Sequence, residues 1–88
     1  MKYNLAIAED DVLILELLIG FLRSSEKFEQ IFAFNNGGSF LNQVESIQDS
    51  INVILLDYRL GDTTAESVLS SLESKKIKVP VIILTSFY

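Results

Sequence analysis

The chain has 88 residues, of which 49% are hydrophobic, and its formal net charge is -5. This size predicts a single domain, residues 1–88, with enough apolar side chains to form a core. The excess of acidic residues disfavours binding to the phosphates of nucleic acid. The sequence has no histidine and no cysteine, which excludes a histidine general base, a thiolate metal site and a disulfide framework.

The sequence also lacks the signals of a membrane or secreted protein. No segment approaches about 18 uninterrupted apolar residues, and the first residues do not resemble a signal peptide. We therefore expect a soluble cytoplasmic domain that has no membrane partner.

Strand-like and helix-like segments alternate in the order β-α-β-α-β-α-β. Apolar runs rich in β-branched and aromatic residues predict strands at 3–8, 28–34, 52–56 and 81–84. Amphipathic segments predict helices at 12–24, at 39–46 and from about 64 to 74. Asp11 is the expected cap of the first helix, and Thr63 or Thr64 that of the third. The run Asn35-Asn36-Gly37-Gly38 is typical of a turn.

The apolar character of these strands indicates the fold class. Nearly continuous apolar runs are typical of central parallel strands covered on both faces. The pattern therefore predicts an α/β fold, an open parallel sheet with helices on both faces.

The first predicted helix has two apolar stripes. One stripe has the spacing of a buried face and consists of Ile14, Leu17, Leu18, Phe21 and Leu22. The other consists of Val12, Leu15 and Ile19. Two interpretations remain open: a broad face buried in one core, or a second face that packs on another subunit.

Acidic residues follow two of the apolar strands. The first strand leads into Glu9-Asp10-Asp11, and the third leads into Asp57. Because the carboxyl ends of parallel strands meet at one edge of the sheet, these acids are expected to lie together and to repel one another unless a cation is present. The pattern predicts a divalent metal site with one carboxylate left to react.

Three segments together resemble the receiver domain of bacterial two-component response regulators. They are residues 5–11 (LAIAEDD), 53–60 (VILLDYRL) and 80–86 (PVIILTS). The combination is specific, and the resemblance covers the whole chain. It implies the flavodoxin-like receiver fold with strand order 2-1-3-4, and a switch that works by phosphorylation.

The resemblance also implies a Mg²⁺ site. Glu9 and Asp10 match the acidic pair that holds the ion in the family, and Asp57 lies beside them. Arg59 matches the position whose backbone carbonyl also ligates the metal.

In the same comparison, Asp57 matches the phosphoacceptor. Thr85 matches the hydroxyl residue that turns toward the phosphoryl group, and Ser86 matches the small residue that leaves room for it. The implied partners are a histidine kinase or a histidine phosphotransfer protein, and the expected role is that of a phosphoacceptor module rather than an enzyme.

The chain departs from the family pattern after the fourth predicted strand, where the 88 residues end. Receivers usually have five strands and five helices, so the resemblance implies a fold that lacks the fifth strand, its phosphoryl-binding lysine and the last helices. Of the seven cationic residues, only Arg59 is expected near the acids. We therefore expect weakened phosphorylation, and self-association through the edge of the fourth strand or through the first helix.

Two other functions compete with the phosphoacceptor. A receiver-like dimerisation or protein-interaction module that no longer switches would also suit a chain without the lysine. A small Mg²⁺-dependent phosphohydrolase is the weakest alternative, because such enzymes usually carry a second acid two residues after the nucleophile, where this chain has Arg59.

Overall fold

Four parallel strands form one sheet in this computed structural model, which describes residues 2–85. The strands are β1 (Tyr3–Ala8), β2 (Phe28–Phe34), β3 (Val53–Asp57) and β4 (Val81–Leu84). Their order across the sheet is β2-β1-β3-β4, and every neighbouring pair is parallel. The predicted fold class and strand order are confirmed.

Three α-helices connect the strands, and each begins at a side-chain cap. They are α1 (Val12–Ser24), α2 (Gly37–Ile47) and α3 (Ala65–Ser74), and a short 3-10 turn, Gln48–Ser50, follows α2. The Asp11 carboxylate accepts hydrogen bonds from Leu13 and Ile14 at the start of α1. Thr64, rather than Thr63, caps α3. None of the helices within residues 2–85 is long and apolar enough to cross a membrane.

The two faces of the sheet are covered by different helices. Ala6, Ala8, Ile54 and Leu56 belong to the main core, together with side chains from α2 and α3. Since neighbouring side chains in a strand point to opposite faces, Leu5 and Ile7 face the other side. Both are fully buried there, on the side where α1 packs.

The orientation of α1 corrects the sequence interpretation of its two stripes. Leu15 is buried, and Leu18, Ile19 and Leu22 are half-buried, which gives the spacing of a face packed on the sheet. Leu17 and Phe21, predicted to be buried, are 66% and 72% exposed. The prediction failed because both stripes are apolar, so hydrophobic spacing alone could not choose between them.

The start of α2 also differs from the prediction. Gly37 and Gly38 were predicted to lie in a turn, but they form the first turn of the helix. Asn36 provides the cap, since its side chain accepts a hydrogen bond from the Ser39 N–H at 2.8 Å. A good cap and close packing against a neighbouring loop therefore outweigh the low helix propensity of the two glycines.

Candidate functional site

The strand register brings the predicted acids to one edge of the sheet. Ala8 of β1 pairs with Leu56 of β3, so Glu9 and Asp57 are the next residues along two adjacent strands. Asp10 follows Glu9 in the turn that leads to α1. Within residues 2–85, Glu9, Asp10 and Asp57 each offer a carboxylate oxygen, and these three oxygens lie within 4.8 Å of one another. The predicted acid cluster is therefore assembled.

The three carboxylates differ in exposure to solvent. Asp10 is exposed, Asp57 is half-buried, and Glu9 is only 6% exposed. Glu9 is held in place at two points: its N–H donates to the Phe34 carbonyl at 3.0 Å, and its carboxylate accepts from the Asp11 N–H at 3.1 Å. One acid is thus fixed inside the protein, while the other two are more accessible to solvent.

Burial and neighbouring acids change the protonation of Glu9. Desolvation raises the pKa of Glu9 to about 7, and the carboxylates of Asp57 and Asp10 act in the same direction. The hydrogen bond from the Asp11 N–H opposes this shift in the pKa but does not cancel it. Near neutral pH, Glu9 therefore carries a proton in part of the molecules unless a cation is present.

The loop after β3 lies against this cluster. Tyr58 and Ala65 are joined by a backbone hydrogen bond of 2.8 Å, and Arg59 pairs with Thr64 in an antiparallel bridge. Gly61 has φ of +76°, and a Cβ atom there would lie 3.3 Å from Asp10 Oδ2. The loop is therefore a compact hairpin next to Asp10, and it contains Arg59, the predicted carbonyl ligand.

The predicted switch residue Thr85 comes directly after β4. Leu84 pairs with Asp57, and the Tyr58 N–H donates to the Leu84 carbonyl at 3.0 Å, so Thr85 begins at the same edge of the sheet. Thr85 is exposed. Ser86, the predicted pocket residue, lies outside the described residues.

Asp62 has a structural role that no sequence pattern indicated. Its carboxylate accepts two hydrogen bonds of 2.9 Å, from the N–H groups of Gly37 and Gly38 at the start of α2. These bonds lower the pKa of Asp62. Residue 62 is 25 positions from Gly37, so no local pattern could have revealed the contact.

Comparison with known proteins decides the family. The model for the response regulator receiver domain matches residues 5–88. The chain belongs to this family. A mutant of the response regulator MaeR bound to sulfate shares 26% identity, with a TM-score of 0.86 over 100% of this chain and 70% of that one.

Two further matches agree with the family. A DNA-binding response regulator of the LuxR family from Staphylococcus aureus is 27% identical, with a TM-score of 0.83 over 97% of this receiver domain and 69% of that chain. A protein-glutamate methylesterase/protein-glutamine glutaminase from Clostridium acetobutylicum is 28% identical over 85 residues, which cover 97% of the receiver domain but 24% of that protein. The chain thus spans about a quarter of this curated relative.

The donor set of this receiver domain suits Mg²⁺. All three side chains supply carboxylate oxygens, the ligands that this hard cation prefers, and few protein ligands are needed because Mg²⁺ keeps several waters. A bound cation would also offset the repulsion that raises the pKa of Glu9. Glu9, Asp10 and Asp57 are therefore the residues that fit the ion.

The raised pKa of Glu9 predicts that stability depends on pH when divalent cations are removed. The folded state holds the Glu9 proton more tightly than the unfolded state, so its stabilising contribution is complete below the ordinary pKa of 4.5 and is lost as pH rises through about 7. Between about pH 5 and pH 8, the free energy of unfolding in EDTA should fall by on the order of 2 kcal/mol more in the wild type than in Glu9→Gln. Urea denaturation of both proteins measures this difference.

The Glu9→Gln variant is the matched control because glutamine has nearly the same shape but does not titrate. Titration of all other groups affects both proteins, so only the difference between the two curves reports on Glu9. Parallel curves across this pH range would contradict the raised pKa.

Proposed function

We propose that this chain is a phosphoacceptor module of a two-component phosphorelay. Asp57 accepts a phosphoryl group from a phosphohistidine of a histidine kinase or a phosphotransfer protein. The observation that carries the proposal is the position of Asp57, at the end of β3 and with its carboxylate within 4.8 Å of the Glu9 and Asp10 oxygens. Membership of the receiver family supports the same role.

The acids have different parts in this function. Glu9, Asp10 and Asp57 would hold Mg²⁺, and the Arg59 carbonyl is the further ligand implied by the family pattern. When bound, the ion neutralises negative charge around the transferred phosphoryl group. Asp57 is only half-buried, so part of its side chain can be reached by a phosphohistidine on another protein.

The transfer forms one bond and breaks another. A carboxylate oxygen of Asp57 attacks phosphorus, the phosphorus–nitrogen bond of the donor breaks, and its electron pair returns to the imidazole nitrogen. The product is an acyl phosphate on Asp57. These 88 residues contain no histidine, so the phosphohistidine lies outside them, and this domain acts as the acceptor.

Thr85 is the proposed sensor of the phosphorylated state. It follows Leu84, which pairs with Asp57 across β3 and β4. A hydroxyl group at this edge can donate a hydrogen bond to a phosphoryl oxygen. Such a bond exists only after phosphorylation, and can therefore favour one of two conformations of the segment that carries it.

Intact-mass measurement after incubation with Mg²⁺ and acetyl phosphate tests the proposed function. We expect one added phosphoryl group on the wild type and none on Asp57→Asn, which keeps the shape of the side chain but lacks the nucleophilic carboxylate. Asp49→Asn removes a carboxylate from the 3-10 turn before β3 and should be phosphorylated like the wild type. No added mass on a folded wild-type sample, or equal addition to Asp57→Asn, would contradict the proposal.

The second candidate function, a non-switching interaction module, is favoured by exposed apolar side chains on one side of the sheet. Leu13, Leu17 and Phe21 of α1 are each at least 66% exposed. Ile82 of β4 is 52% exposed, and it points to the α1 side because its neighbours Val81 and Ile83 pack on the opposite core. Burial of such residues against a second copy would be favourable.

Light scattering at micromolar protein concentration tests self-association. We expect a mass above that of the monomer, a return toward the monomer mass in Leu17→Lys, and no change in Glu16→Lys, which places the same charge next to this stripe. A monodisperse wild-type monomer would contradict self-association through either α1 or the β4 edge.

A further inference from the structure

The loop after β3 is fastened to the start of α2 by one side chain. Both carboxylate oxygens of Asp62 are engaged, Oδ1 by the Gly37 N–H and Oδ2 by the Gly38 N–H, each at 2.9 Å. These two donors belong to the first turn of α2, where backbone N–H groups have no partner within the helix. The negative charge of Asp62 also lies at the positive end of the helix dipole. We call this pair of hydrogen bonds the Asp62 clamp.

Close packing accompanies the Asp62 clamp. A Cβ atom at position 37 would overlap the Thr63 methyl group and would lie 3.5 Å from a methyl group of Leu60. Leu60 is 1% exposed and belongs to the main core. The loop is thus anchored in the core by Leu60 and on the α2 backbone by Asp62.

The same loop meets the acid cluster. Gly61, next to Asp62, has a left-handed backbone conformation that brings it against Asp10, with only 3.3 Å between the position of a Cβ and Asp10 Oδ2. Arg59, the proposed carbonyl ligand, is in this loop two residues after Asp57. A change in the position of the loop would therefore alter its contact with Asp10 and move Arg59.

We propose that Asp62 is a positioning residue for the cation site, acting through the loop that contacts Asp10 and carries Arg59. The inference rests on the proposed function in that Mg²⁺ is the cation bound by Glu9, Asp10 and Asp57. Asp62 is not itself a ligand, because both of its oxygens are taken by backbone N–H groups of α2.

The lowered pKa of Asp62 supports a clamp that is maintained at neutral pH. Hydrogen bonds from the Gly37 and Gly38 backbones lower the pKa of this carboxyl group, so it stays ionised at neutral pH. The charge that accepts both hydrogen bonds is therefore in place at neutral pH, and the clamp would hold the loop in position before a cation binds. A loop that is already in position strengthens Mg²⁺ binding, because less conformational entropy is lost when the ion binds.

Mg²⁺ affinity, measured by isothermal titration calorimetry, tests the proposal. We expect Asp62→Ala to bind Mg²⁺ roughly tenfold more weakly than the wild type, the lower end of what loss of a residue supporting a metal ligand typically costs. Asp62→Asn keeps one acceptor oxygen for one of the two N–H donors, so its affinity should fall between the two. Asp49→Ala, an exposed acid in the 3-10 turn, should bind like the wild type.

Long-range attraction must be separated from positioning, since Asp62 also contributes a negative charge near the cation. Repeating the titrations at about 0.5 M KCl reduces the Debye length to about 4 Å and screens exposed charges. A positioning role predicts that the ratio of the wild-type and Asp62→Ala affinities persists at this salt concentration. Circular dichroism and urea denaturation establish that each variant is folded.

The outcomes separate this inference from the proposed function. A wild type that binds no Mg²⁺ would overturn both. If the wild type and Asp62→Ala bind Mg²⁺ with the same affinity, the positioning role alone would be overturned. Equal weakening in Asp62→Ala and Asp62→Asn that disappears at high salt would show a charge effect only, and would also overturn it.

Discussion

Mutual repulsion among three carboxylates is the constraint on which the functional part of this receiver domain depends. Their oxygens lie within 4.8 Å of one another, and one of the acids, Glu9, is almost fully buried. Nearby negative charges in a site of low solvent access favour protonation or the binding of a cation. Burial raises the pKa of Glu9, and the neighbouring carboxylates of Asp57 and Asp10 raise it further. A divalent cation would relieve the same repulsion, and Asp57, the proposed phosphoacceptor, is only half-buried.

The sheet maintains this unfavourable cluster because its backbone register leaves the acids little freedom. Burial of the apolar strands, including Leu5, Ile7, Ile54 and Leu56, fixes β1 beside β3. A slip of one residue would turn every one of these side chains to the wrong face. Stability gained in the core thus holds the carboxylates together, and the site lies where parallel α/β sheets commonly bind ligands.

Sequence reasoning succeeded where strand patterns determine the arrangement, and it failed at one helix with two apolar faces and at one contact made through backbone groups. Apolar runs ending in acids located β1, β3 and the cluster, because strand periodicity and parallel pairing determine both. The exposed face of α1 was assigned wrongly, since Leu17 and Phe21 are as apolar as the residues that pack on the sheet. The role of Asp62 was missed for another reason: its partners, Gly37 and Gly38, are distant in the chain and offer only backbone N–H groups.

If the three carboxylates form one cation site, Glu9 must lose its proton when the ion binds. Calorimetric titration with Mg²⁺ in two buffers of different ionisation enthalpy counts the protons released for each ion bound. Because the pKa of Glu9 is about 7, we predict release of about half a proton per ion near pH 7 and almost none near pH 9. Absence of Mg²⁺ binding, or binding without proton release near pH 7, would contradict the account.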